Sequence, residues 1–237
     1  MTSRPRILIN FAVSLDGKIN PVPGRRVGRF VMSRGKEDWR RMRVLRERAD
    51  AILIGAENLR VDDPALSLDP DERDRRRAAG QPLPARIVVT RRGEGIRADA
   101  KMFDRTTGGA AYIIHTAAMP AATRGVLAGV AQLVELGAET VPTQALLAWL
   151  RDDLGAGTVV CEGGGVLVAE LFAAHAIDQL YLTVVPRILG GVAAPTLAAG
   201  PGFDPDQIPD AKLVSVERVG DELFLRYEFP PSPTTAF

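Results

Sequence analysis

One cysteine, Cys161, and two histidines, His115 and His175, are the whole supply of soft metal-ligating side chains in a chain of 237 residues. A single cysteine excludes an internal disulfide and suits a reducing compartment. The two histidines stand far apart and belong to no ligand-spaced cluster, so no metal site is expected. His115 reads as the end of a strand, and His175 as a late helical position, where a cation is favourable. No G-x-S-x-G stretch occurs, and Cys161 closes an apolar run, where a small core residue is a better reading than a thiolate. No apolar run reaches the roughly 18 residues of a membrane span. The opening "MTSRPRILIN" lacks the apolar core of a signal peptide, and a cytoplasmic protein is expected. Charge is nearly balanced, 30 Lys and Arg against 29 Asp and Glu, so nothing global points to nucleic acid or a membrane surface.

What is present is an alternation. Short β-branched runs at Arg6–Ser14, Ala51–Gly55, Ala85–Thr90, Ala110–His115, Ala131–Leu136, Thr158–Cys161 and Gln179–Pro186 read as strands. Several are apolar almost throughout, as strands covered on both faces must be. Helical patterns lie between them. Lys36–Ala49 places Trp39, Met42 and Leu45 on one face, the stretch from Pro142 to Gly155 opens with Thr143 as its cap, and Val166–Ala176 follows three glycines. The pattern implies βαβ units, a mostly parallel sheet and an α/β fold. Lys212–Phe229 differs: two alternating segments flank Gly220-Asp221 and read as an antiparallel hairpin closing the sheet. Leu189–Pro209 reads as a long loop, Asp71–Gly80 as a solvated loop with a ligand-facing role as the alternative, and the tail from Pro230 as a frayed end. A single domain over residues 1–237 is expected.

Gly163, Gly164 and Gly165 fall between the strand Thr158–Cys161 and a helix, with Glu162 directly before them. That is the carboxyl end of a parallel strand, the edge at which open α/β sheets bind ligands. A helix amino terminus there offers unpaired N–H groups to a phosphate, and glycine lets the phosphate come close. A tight turn would need one glycine, and three exceed that need. The first strand is followed by "SLDGKIN" rather than a glycine fingerprint, which disfavours a standard dinucleotide fold while leaving a dinucleotide in play. Asp16-Gly17 is a turn signal. Asp62-Asp63 before Pro64 reads as a turn or as acids facing a ribose or amide. Arg91 and Arg92, just past a strand, read as a phosphate fork or as a solvated pair. A phosphate cradle without a nucleophile or metal points to chemistry supplied by a cofactor.

"FAVSLDGKI", "LRERADAILIGAENLRVDDPAL" and "VVCEGGGVLVAELFAAHAIDQLYLTVVPRILGG" together resemble the pyrimidine reductases of riboflavin biosynthesis, from about Arg6 to Phe229. The resemblance implies a dihydrofolate-reductase-like fold, NADPH as cofactor and a homodimer. The implied reaction opens a ribosylamino-pyrimidine 5′-phosphate and reduces it to the ribitylamino compound by hydride transfer to C1′. In the cofactor's surroundings it implies Ala12 beside the nicotinamide, Asn58 and Asp62 as further contacts, Gly163 to Gly165 with Val166, Leu167 and Val168 at the phosphates, and Thr90 and Arg91 near the adenosine end. It implies Glu162, Asn10, Arg46 and Leu66 around the substrate, with Glu162 and Asn10 closest to the chemistry. Two positions depart from the pattern: relatives often carry threonine where Asn58 stands, and many carry arginine near the substrate phosphate where Asp69 stands. Gly24–Gly35 matches poorly, and Arg25, Arg26 or Arg34 could substitute for the missing arginine. Asparagine at position 10 is the archaeal and fungal choice, bacteria preferring lysine, which favours the diamino over the deaminated pyrimidine. The chain lacks the H-x-E…P-C-x-x-C deaminase signature, so a stand-alone reductase is expected. A same-fold reductase acting on another small carbonyl, imine or pteridine-like substrate, and a non-catalytic nucleotide-binding module, are the competing readings.

Overall fold

The computed structural model describes residues 4–24 and 36–230. Nine strands form one sheet in the order β5-β4-β3-β2-β6-β1-β7-β9-β8. In chain order the elements are β1 (Arg6–Ser14), α1 (Glu37–Arg48), β2 (Ala51–Gly55), α2 (Ala56–Asp62), α3 (Pro70–Ala78), β3 (Ala85–Val89), β4 (Ala111–His115), α4 (Ala121–Leu127), β5 (Gln132–Glu135), α5 (Thr143–Asp152), β6 (Thr158–Cys161), α6 (Gly165–Ala173), β7 (Ile177–Val185), β8 (Lys212–Val219) and β9 (Glu222–Glu228). The neighbouring pairs from β5 to β7 are parallel, and β9 pairs antiparallel with both β7 and β8. All seven apolar runs are strands, within two residues of the expected ends, and the hairpin turns at Gly220-Asp221 as expected.

Burial explains the arrangement. Ile7, Ile9, Leu53, Ile87, Ile114, Val159 and Cys161 form a core on one face with Leu146, Leu147, Leu150, Val168 and Leu171 of α5 and α6. Tyr112 meets Trp149 edge-on at 5.2 Å within it. The opposite face carries a second cluster around Ile52, Ile54, Val88 and Ile113, and a smaller one in which Leu45 and Ala49 meet Leu8 and Val160. Central strands with no solvent face are apolar almost throughout, Asn10 of β1 and the buried Arg86 of β3 being exceptions.

Local readings need correction in four places. Asp71–Gly80 lies mostly in α3: Asp69 and Glu72 form a reciprocal capping box with Pro70 in the first turn, so "DPDE" was a helix start. Arg76 of α3 is buried and donates to the carbonyls of Glu47, Ala49 and Pro82. On α1 the buried side chains are Asp38, Leu45 and Arg46, whereas Trp39 is 42% exposed, so the inward face is partly polar. Pro142, not Thr143, occupies the cap position of α5. His175 lies beyond α6 with φ +48°, outside the helix. The loop after β7 is tied down: Asp16 accepts the N–H groups of Leu189 and Gly190 at 3.1 and 2.7 Å, and Lys18 bridges to Thr196. Arg25, Arg26, Arg34 and the tail after Pro230 lie outside the described residues, and no helix among those described is long and apolar enough to cross a membrane.

Candidate active site

Because β1, β2, β3, β6 and β7 run parallel, their carboxyl ends share one edge of the sheet. The glycine turn after β6 sits there. Gly163 and Gly164 have φ of +144° and +98°, conformations that side-chain-bearing residues rarely adopt. A Cβ on Gly163 would stand 2.2 Å from Asn58 Nδ2, and one on Gly164 would stand 3.2 Å from the backbone of Gly55. Gly165 packs as closely on Ala199 and Thr196. Each of the three glycines also packs closely, Gly163 on Asn58 of α2, Gly164 on Gly55 of β2 and Gly165 on the 196–199 loop. The turn remains suited to an anion. Val168 is the first residue of α6 to donate a helical bond, to Gly164 at 2.9 Å, so the N–H groups of Gly165, Val166 and Leu167 precede that bond. Leu167 and Val168 bury their side chains in the core and can offer only backbone, whereas Val166 is 61% exposed.

Glu162 links the turn to α1. Arg46 donates from Nε and Nη2 to its two oxygens at 2.5 and 2.6 Å, with the side chains 7% and 9% exposed. Arg46 Nη1 also donates to the Ser67 carbonyl at 3.1 Å. The preceding residue, Leu66, is 2% exposed in the second core and holds φ +49°, a strained conformation for leucine that costs roughly 1–3 kcal/mol. That backbone leads directly into the carbonyl that Arg46 uses.

Asn10 and Ala12 share one face of β1, as the period of two requires. Ile9 pairs with Cys161, so Asn10 of β1 follows that pair on one side and Glu162, just past the end of β6, follows it on the other. On the other side Asn10 is in register with Tyr181, and Ala12 with Thr183. Glu162, Asn10, Ala12 and Arg46 thus converge under α1. Asn58 joins them through its packing on Gly163. Asp62 ends α2, and Asp63 caps it in a left-handed conformation while accepting the Lys101 N–H at 3.0 Å.

Thr90 and Arg91 lie farther along the edge, beyond β3, two strands from β6. Thr90 Oγ1 accepts from the Gly93 N–H at 3.0 Å. Arg91 is ion-paired with Glu139, and Arg92 with Glu94 at 3.4 Å, all four side chains well exposed. Such surface pairs are worth about 0–1 kcal/mol, so either arginine can exchange its partner for a ligand. Asp69 pairs with Arg43 at 2.7 Å. Arg43 also meets Glu72 at 2.7 Å and Asp71 at 3.5 Å, so its charge is well neutralised.

The sequence reading missed Asp38 and Thr183. The Thr183 hydroxyl donates to Asp38 Oδ1 at 2.6 Å, both residues being buried, at 7% and 3% exposure. An acid in a first helical turn reads as complementing the helix dipole, and nothing local shows that this one faces inward. Arg41 stacks 4.2 Å above the Phe224 ring while pairing with Glu37 and Glu217. Cys161 is wholly buried, which pushes its thiol up to about 12 and keeps it protonated. His115 is buried with Nδ1 2.9 Å from the Thr116 carbonyl. Among the described residues no group of three or more His, Cys, Asp and Glu side chains could hold a metal ion.

The family whose model matches is the RibD C-terminal domain, over residues 5–225. The chain is 30% identical over 220 residues to the 2,5-diamino-6-ribosylamino-4(3H)-pyrimidinone 5′-phosphate reductase of Archaeoglobus fulgidus, covering 92% of this chain and 95% of the relative. It is 29% identical over 228 residues to the protein of that name from Methanothermobacter thermautotrophicus, covering 94% and 98%. Among solved structures it superposes on Acinetobacter baumannii RibD with a TM-score of 0.73 at 19% identity, covering 97% of this chain and 59% of that one. That likeness bears out the expected dihydrofolate-reductase-like α/β fold. With the match spanning nearly the whole described chain, and the polar row under α1 standing beside the glycine turn, the chain belongs to the RibD C-terminal domain family.

Proposed function

We propose that this protein is a reductase that takes hydride from NADPH and delivers it to C1′ of a ribosylamino-pyrimidine 5′-phosphate, giving the ribitylamino product of riboflavin biosynthesis. Relatives named 2,5-diamino-6-ribosylamino-4(3H)-pyrimidinone 5′-phosphate reductase match along nearly their full length. The observation that carries the reading is the buried Arg46–Glu162 pair, aligned with Asn10 and abutting the glycine turn. NADPH, when bound, supplies the hydride. The amino end of α6 and the turn at Gly163 to Gly165 hold its pyrophosphate through backbone N–H groups. Ala12 leaves room for the nicotinamide beside β1. Asn58 and Asp62 border the cofactor from α2, and Thr90 and Arg91 border its adenosine end.

The substrate lies beneath α1. Glu162 retains oxygen lone pairs for ribose hydroxyls while Arg46 fixes its orientation, and Asn10 offers both a donor and an acceptor to the pyrimidine. Such positioning matters because reacting atoms must come within roughly 3–3.5 Å. Leu66 contributes through its backbone. Arg91 supports NADPH over NADH, since a charge-assisted bond to the 2′-phosphate is worth roughly 1.5–3 kcal/mol. A homodimer accords with the edge strand β8, where Leu213, Val216 and Val219 are 48%, 55% and 42% exposed.

Asp69 favours a second reading, a same-fold reductase with another small substrate, because an acid there repels the phosphate that an arginine would hold. Parallel absorbance assays of NADPH oxidation with the diamino and deaminated pyrimidine phosphates decide the matter. Turnover of the diamino compound supports the first reading. Cofactor binding without turnover of either compound overturns it.

A further inference from the structure

A hydride added to a sugar carbon demands a proton elsewhere, and Glu162 is poorly placed to give one because both of its oxygens are engaged by Arg46. A second carboxyl lies on α1, the helix that also carries Arg46, near enough to Glu162 for the two charges to interact. Asp38 enters from the first turn of α1 and rests on Thr183, whose strand neighbours are Ala12 on β1 and Phe224 on β9. We propose that Asp38 is the acid of the reaction, held by Thr183 and delivering its proton to the ring oxygen of the substrate's ribose; this rests on the reductase reading above.

The geometry divides the carboxyl's two oxygens. Thr183 occupies Oδ1, and Oδ2 carries the acid proton. Among the described residues no basic side chain forms a salt bridge with Asp38, in contrast to the paired Glu162. Burial pushes the Asp38 carboxyl above its ordinary value, against the pull of the Thr183 hydroxyl. Glu222 on β9 and Glu162 after β6 push the same way as burial, while Arg41 on α1 opposes them. The amino end of α1 also favours the anion. The outcome is a carboxyl that keeps its proton to higher pH than a surface aspartate. Two neighbouring carboxyls, one engaged by a guanidinium and one buried without a salt bridge, is the pattern by which environments separate an acid from a binding group.

O4′ takes the proton from Asp38 as the C1′–O4′ bond breaks. The lone pair of the glycosylamine nitrogen forms the C1′=N bond. Hydride from NADPH adds to C1′, and the electron pair of the C=N bond returns to nitrogen. The Asp38 carboxylate recovers a proton from water, so one proton and one hydride are consumed per turnover.

The alternative is that Asp38 and Thr183 merely staple α1 to β7. Wild type, Asp38→Asn and Thr183→Val separate the two. The measurements are NADPH oxidation with the ribosylamino-pyrimidine phosphate from about pH 5 to 9, the NADPH Kd, the Tm, and the carboxyl stretch by infrared difference spectroscopy. Asp38→Asn is expected to keep its NADPH Kd, to lose about 10²–10⁴-fold in kcat, and to lose the fall in rate at rising pH. Thr183→Val is expected to move that fall to higher pH, because the hydroxyl no longer favours the anion. The infrared band of the protonated carboxyl is expected to titrate with the same midpoint in wild type and to vanish in Asp38→Asn. A folded Asp38→Asn with an unchanged pH profile overturns the proposal. So does a Thr183→Val profile that does not move, which decides the question even if Asp38→Asn does not fold. Wild type that turns over neither pyrimidine overturns the reductase reading itself, and the acid with it.

Discussion

Arg46 and Glu162, more than a hundred residues apart in the chain, meet in a two-bond fork at 2.5 and 2.6 Å beneath α1. Removing one member strands the other's charge in a buried place, which costs about 3–5 kcal/mol. Arg46→Ala is therefore expected to lower Tm markedly in a thermal melt. Glu162→Gln, which keeps shape and some hydrogen bonding, is expected to retain NADPH binding while kcat/KM falls about tenfold or more. Full activity in Glu162→Gln would remove Glu162 from the substrate site.

The glycine turn calls for an indirect probe. Gly164→Val tests packing as much as phosphate binding, because its Cβ would press on the Gly55 backbone and its φ is +98°. Val166 is exposed in the first turn of α6. Val166→Glu is expected to leave Tm unchanged or slightly raised, since an acid suits a helix amino end. The same charge repels pyrophosphate, and the NADPH Kd by fluorescence titration is expected to rise about tenfold, or roughly 1.4 kcal/mol. An unchanged Kd would place the pyrophosphate elsewhere.

Asn10 tests substrate choice. Asn10→Lys replaces a donor and acceptor with donors alone, on the strand position beside Glu162. The ratio of kcat/KM for the deaminated over the diamino pyrimidine is expected to rise, measured by parallel assays. A ratio that does not move would show that Asn10 does not read the ring.

Asp16 links stability to pH. The Ser14 hydroxyl first, and then the N–H groups of Leu189 and Gly190, hold its carboxyl down at about 2. A folded value below the ordinary 3.8 means the contribution is present above about pH 4 and is lost as pH falls toward 2. The Tm difference between wild type and Asp16→Asn should accordingly be full at neutral pH and shrink as pH falls through that window. A difference independent of pH would mean that the carboxylate charge is not what anchors the loop after β7.

The edge strand β8 is exposed along its length. Val216→Lys puts a charge on that edge, a device that discourages pairing between copies. Light scattering is expected to show the mass falling from dimer to monomer, with the strand's internal pairing to β9 retained. A dimer that survives the change would use another surface.

What the sequence determined by itself was the sheet. Strands buried on both faces are apolar almost end to end, so β2 and β6 announced their boundaries, β1 did so despite Asn10, and Gly220-Asp221 announced the hairpin. The glycine turn and Glu162 were legible because strand, acid, turn and helix follow one another locally. Helix α3 was obscured because nearly all its residues are charged; its capping box was the signal, and charge masked it. The row under α1 belonged to the tertiary structure. Asp38 and Trp39 are neighbours on an amphipathic helix, and only the fold turned the acid inward and the indole outward, because Thr183 on β7 could satisfy a buried carboxyl. Arg46, which the resemblance set near the substrate, reads locally like any surface arginine, and only the packing of α1 beside β6 sets it against Glu162. Burying a charge is tolerable only where a partner waits, and that partner lies on another strand, at a separation no local pattern records.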